Sequence, residues 1–199
     1  MAPSACIDLR PGERVHLLGV ARASIESGLH QGRALSIDDA DITATLAARL
    51  GVFVTLTRQC ALRGCIGSLE SAEPLPRSVA DSAYGAAFRD PRFPRLEAAE
   101  LGEIRIEISV LSAMVPVRAA SREALLAQLA PAADGLLLKD GAHRSTFLPK
   151  VWEQLPEPAH FLEQLMIKAG LPANHWSSGL RFYRYGATCF SETFADTPA

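Results

Sequence analysis

Between Leu62 and Gly67 the chain reads LRGCIG, a run that sets a guanidinium and a thiol two positions apart among glycines. Residues two apart on a strand share a face, so regular alternation puts Arg63 and Cys65 about 7 Å from each other. A thiol in that setting can act as a nucleophile or redox group. A nearby guanidinium favours the thiolate, or grips a carboxylate or phosphate with its planar fork. Gly64 and Gly67 remove side chains that a buried strand would pack, which leaves room for a ligand or for another backbone. Two readings follow. In one, Cys65 is the candidate catalytic group and Arg63 the anion holder. In the other, Cys65 is a small core residue, Arg63 makes a structural ion pair, and the glycines admit a helix.

A second group lies in DPRFP, where two prolines frame Asp90, Arg92 and Phe93. Read as structure, this is a rigid turn in which Asp90 ends a helix and Phe93 plugs the core. Read as a site, it brings a second positive group, Arg92, toward Arg63, since rigid loops commonly carry function. The candidate binding set is thus Arg63, Gly64, Ile66, Gly67, Asp90, Arg92 and Phe93. Cys60 and Cys189 have no sequence neighbour that suggests activation. The five histidines show no metal-ligand spacing, and the four cysteines match no zinc or disulfide framework, so no metal is expected. Neither G-x-G-x-x-G nor a P-loop occurs, and no cofactor can be named.

Positioning such groups takes a folded core, and the bulk composition provides for one. The 199 residues are 48% hydrophobic and 21% charged, a globular composition. The net charge of -2 comes from well-mixed residues without a basic block, so no nucleic-acid partner is expected. Nor does any apolar run reach membrane-spanning length, and no signal peptide is evident, which makes a cytoplasmic protein with reduced thiols the expectation.

The periodicity changes along the chain. Val15, Leu18, Ala21, Ile25 and Leu29 recur at helical steps and predict an amphipathic helix over 13–29, closed by Gly28 or Gly32. A second helix is predicted over 39–50, with Asp38, Asp39 and Asp41 at its start and Ile42 and Leu46 along its apolar line. GVFVTLTR and LRGCIGSLE, separated by a few residues, predict a β-hairpin in which Leu62 and Ile66 face the core. SVADSAYGAAFRD predicts a helix, and Ile104 to Val110 alternate as a strand with one packed face. Ser121 caps a helix expected to reach about residue 129. GLLLKDGAHRSTFLP predicts a second hairpin turning at Asp140-Gly141, Pro158 opens a further helix, and LRFYRYGATCF is a final strand. Strands that come as hairpins among helices indicate an α+β fold. It is mainly an antiparallel sheet with flanking helices, in two packed α+β subdomains of a single domain.

The string LRGCIG within GVFVTLTRQCALRGCIGSLE, followed in order by AAFRDPRFP, IEISVL, DGLLL, TFLPKVW and KAGLP, resembles the AMMECR-one family, whose prokaryotic members are called AmmeMemoRadiSam system protein A. The likeness spans about residues 12–192. One departure is Arg95, which stands where the family often has a second proline after RFP. The resemblance implies an α+β fold and company with a Memo-like protein and a radical SAM protein, but it delivers no reaction. The expectation is a ligand- or partner-binding component acting through the LRGCIG strand, with a small anionic ligand as a further candidate. The alternative is an enzyme that uses Cys65 as a thiol nucleophile on an anionic substrate held by Arg63.

Overall fold

A hairpin, β1 (Val52–Arg58) and β2 (Ala61–Ser68), organises the first of two compact units in the computed structural model, which describes residues 6–38 and 42–192. β1 pairs antiparallel with β2 on one side and with β3 (Ile104–Leu111) on the other. The last strand, β8 (Ala187–Ser191), completes the order β2-β1-β3-β8. Two helices, α1 (Pro11–Gln31) and α2 (Leu75–Phe88), pack on this sheet. Val52, Val54, Leu56, Ile106 and Ile108 meet Leu17, Ile25, Val79 and Ala83 in one buried core.

α1 forms as its spacing predicts and stops at Gly32, whose φ of 70° suits the left-handed C-terminal position. Its buried face is rotated from the predicted one. Leu17, Val20, Ala21 and Ile25 face inward, whereas Val15 is 69% exposed. The predicted helix over 39–50 is not formed where the structure describes it, and Asp39 and Asp41 lie outside the described residues. Residues 44–47 make a single turn, with Ala47 N bonded to Thr43 O at 2.9 Å. Continuing it would require a donor for Leu46 O from its own segment, but that carbonyl accepts from Leu75 N at the start of α2, 3.0 Å away.

The second unit, Ser112–Ala187, has its own sheet in the order β4-β7-β5-β6. These are β4 (Val115–Val117), β5 (Gly135–Asp140), β6 (His143–Phe147) and β7 (Arg181–Tyr185). α3 (Arg122–Leu126) is capped by Ser121 as predicted, through Ala124 N at 3.2 Å, but is shorter than expected. α4 (Pro158–Lys168) buries Phe161, Leu162, Leu165 and Met166 against Leu136, Leu138 and Phe182. The β5–β6 turn lies one residue later than predicted, because Asp140 pairs with His143 and Gly141 takes φ 57°. The single final strand divides at Gly186 into β7 and β8, one for each sheet. The fold is α+β, with two four-stranded sheets among the described residues. Among the described residues no helix is long and apolar enough to cross a membrane.

Candidate functional site

The LRGCIG strand does not alternate regularly. Leu56 faces Gly64 and Thr57 faces Leu62, so Arg63 is the extra residue of a β-bulge. A bulge re-aims the chain and shifts every residue beyond it by one face. Leu62 therefore leaves the core side, where it was expected, and is 45% exposed. Gly64 and Ile66 face α2, while Cys65 stands opposite Thr55 on the other face.

Freed from the ladder, Arg63 turns to the 3-10 turn at Ala98–Glu100. Its Nε and Nη2 each donate to Glu100 at 2.8 Å, a bidentate fork. Nη1 donates to Pro94 O at 2.9 Å and Nη2 to Arg95 O at 3.3 Å. The Arg63 guanidinium holds the Glu100 carboxyl down at about 2, helped by the Glu97 backbone N–H and by Arg58. The expected anion holder is thus a buried tie between β2 and the loop that leads to β3.

The space beside the glycines is also taken. A Cβ on Gly64 would lie 2.1 Å from the backbone oxygen of Ala86 in α2. On Gly67 it would meet Val52 O at 2.2 Å and the Phe53 ring at 2.6 Å. The room expected for a ligand is instead room for the protein's own backbone and ring. Ile66 is a packing residue as well, its side chain filling the gap above Gly85.

What remains is built around Cys65 and DPRFP. β2 is an edge strand, and at Cys65 its backbone points away from β1. Asp90 reaches in from the loop and accepts from Cys65 N at 2.9 Å. The same carboxylate accepts from Arg92 N (3.1 Å), Nε (2.9 Å) and Nη2 (2.7 Å). Arg92 Nη2 also donates to Cys65 O at 3.2 Å. Together the pair closes both outward backbone groups of Cys65, as a neighbouring strand would. Arg92 holds the buried Asp90 carboxyl far below the usual carboxylate range, against the opposing effect of burial. Arg92's own pKa is raised, chiefly by its hydrogen bonds to Asp90, and its bond to Cys65 O holds the guanidinium against that residue's backbone.

The positive group next to Cys65 is therefore Arg92, not Arg63. The Arg92 side chain remains 54% exposed, its Cζ 5.5 Å from the half-buried Phe93 ring. Thr55 Oγ1 donates to Cys65 Sγ at 3.4 Å. All four cysteines are free thiols, Cys65 half-buried and Cys6, Cys60 and Cys189 exposed. Among the described residues no cluster of three or more His, Cys, Asp or Glu could hold a metal. Reading the sequence alone missed Thr55 and Glu100. Thr55 carries a signal only once the bulge is known, and Glu100 none, being 37 positions from Arg63.

Comparison with known proteins decides the family. The AMMECR1 family model matches residues 18–190. The chain belongs to the AMMECR1 family. A protein of Methanothermobacter thermautotrophicus is 36% identical over 178 residues, covering 88% of this chain and 92% of its own. One from Thermococcus gammatolerans is 34% identical, covering 92% and 91%. The crystal structure of an uncharacterized protein from Pyrococcus horikoshii superposes with a TM-score of 0.83 at 31% identity, covering 92% of this chain and 93% of that one. This AMMECR1 family member thus carries the LRGCIG stretch as a bulged edge strand, clasped by the Asp90–Arg92 pair.

Proposed function

We propose that this AMMECR1 protein is a binding component that presents the surface around Cys65, Arg92 and Leu62 to a protein partner, with Memo-like and radical SAM proteins as the expected partners. One observation supports it most: the Asp90–Arg92 clasp closes the outward backbone of β2 at Cys65, yet leaves the guanidinium half in solvent. Arginine so placed, near a partly exposed aromatic ring and clasped to the same strand that carries exposed Leu62, has the composition of a recognition patch. The fixed backbone reduces the ordering cost of association.

The test is calorimetric titration with purified Memo-like and radical SAM proteins from the same organism. Binding to at least one is expected, weakened tenfold or more by Leu62→Asp and by Arg92→Glu. Leu62 makes no side-chain bond in the clasp, so its variant keeps the fold. Absence of association with both proteins, or wild-type affinity in the two variants, defeats the reading.

The thiol-enzyme alternative loses Arg63 as anion holder, since Glu100 and two carbonyls occupy that guanidinium. It retains a half-buried thiol on the residue whose backbone carbonyl accepts from Arg92. Cys65→Ser separates the two readings. Retained partner binding is the outcome expected of a binding component.

A further inference from the structure

Three cations stand side by side on the sheet of the second unit. The strand register sets Lys139 of β5 opposite Arg144 of β6 on one side and opposite Arg181 of β7 on the other. Directly opposed residues of antiparallel strands share a face, so these side chains form one basic rung, roughly 10 Å across from the usual strand spacing. Where the chain leaves β4, Arg118 joins Arg181 along a groove of about 610 Å³ that also includes Phe182 and Tyr183.

Among the described residues no carboxylate neutralises any of the four. Arg118 and Arg144 are exposed and their side chains make no hydrogen bond or ion pair among the described residues. Arg181 gives only Nη1, to the carbonyls of Ser178 and Leu180, both at 2.8 Å. Lys139 Nζ stands 5.1 Å from the centre of the Tyr183 ring. The adjacent carboxylate, Asp140, alternates to the opposite face and accepts from Ser177 at 2.9 Å beside His175 at 2.8 Å. Elsewhere in the chain arginines meet acids, as Arg63 meets Glu100 and Arg122 meets Glu163. Like charges opposed across a ladder destabilise a sheet, and a ligand bringing negative charge would relieve that repulsion.

We propose that this rung and groove bind a phosphate-bearing small molecule. Its phosphoryl oxygens lie across Arg144, Lys139 and Arg181, and its organic body lies in the groove toward Arg118. The Nε and Nη2 groups of Arg181 are an unused fork that matches two phosphate oxygens, while Lys139 acts as a point charge. The groove volume falls in the range of small-molecule sites. The site shares no residue with the Cys65 surface and stands or falls independently of it.

Inorganic tripolyphosphate titrated calorimetrically into the full chain at low salt tests the proposal. Saturable binding is expected, weakened at least tenfold by Arg144→Gln and by Arg181→Gln. Arg33→Gln, at an exposed arginine of the other unit, should leave it unchanged. Arg144→Gln should also raise the melting temperature of the free protein and abolish the rise that tripolyphosphate gives the wild type. The proposal is overturned by absent saturation or by equal affinity in wild type and Arg144→Gln. It is also overturned if an oligonucleotide of about twelve bases binds more tightly, with a salt slope requiring more than three neutralised phosphates.

Discussion

Asp90 secures Cys65 from outside the sheet: one carboxylate oxygen of the loop residue lies 2.9 Å from the strand residue's backbone nitrogen. The other donors to that carboxylate all belong to Arg92. Asp90→Ala leaves an edge N–H and a guanidinium without their shared acceptor. It is expected to cost about 3 kcal/mol, read as a lower urea midpoint at constant slope. A midpoint within error of wild type would mean that the clasp contributes nothing to stability.

Arg63 should behave as a structural residue. Arg63→Ala leaves the buried Glu100 carboxylate with Arg58 at 3.1 Å and the Glu97 N–H at 2.9 Å as its partners, and is expected to cost about 3 kcal/mol. Arg63→Lys should recover only part of this, because an ammonium cannot replace the two-pronged contact. Partner affinity, measured well below the melting temperature, should be unchanged in both variants.

Acid should loosen the same joint. The folded-state pKa of Glu100 lies at about 2, below the ordinary value of 4.5. The ion pair's stabilisation is therefore fully present above pH 4.5 and is lost as the pH falls toward 2. Asp90 acts in the same direction. Glu100→Gln should flatten stability against pH over that window in acid-titrated denaturation curves, while a curve parallel to wild type would assign the acid sensitivity to other carboxylates.

Gly64→Ala is a sharp test of close packing. The added methyl would meet the Ala86 carbonyl of α2 at 2.1 Å, and neither backbone can yield without moving a strand or a helix. A loss of roughly 3 kcal/mol is expected. Gly102→Ala, with open space around its position, serves as the control.

The hairpin tip gives the opposite sign. Gln59 (φ 51°) and Cys60 (φ 64°) both hold left-handed backbone, the geometry in which two-residue hairpins favour glycine. Cys60→Gly should raise stability by about 1 kcal/mol. A decrease would show that the thiol makes a contact worth more than the relief of that conformation.

The elements were legible where periodicity and turn chemistry agreed. Ile104, Ile106, Ile108 and Val110 pack as their alternation predicts, although Ser109 on the other face is also buried, and Pro158 with Gly170 bounded α4. The site was only half legible. A two-residue turn at 59–60 pairs Arg58 with Ala61 and, with regular alternation, would have set Thr55 opposite Gly64; the bulge at Arg63 sets it opposite Cys65 instead. Nothing in residue types announces that slip, because its energetic reason, the tie to Glu100, lies far along the chain. For the same reason four scattered cations read as ordinary mixed charge until strand register placed three of them abreast. The helix predicted over 39–50 failed on a tertiary competitor, the Leu75 amide, which no local pattern could reveal.

The division at Gly186 matters for the order in which the protein is made. β3 ends at Leu111, and its outer neighbour β8 begins at Ala187, after the whole of the second sheet. At translation speeds of about 5–20 residues per second, several seconds separate the emergence of these two strands from the ribosome. Throughout that interval β3 is a bare margin, open to pairing with any passing chain. Nascent polypeptides arrested between the two points should therefore be the species that clump.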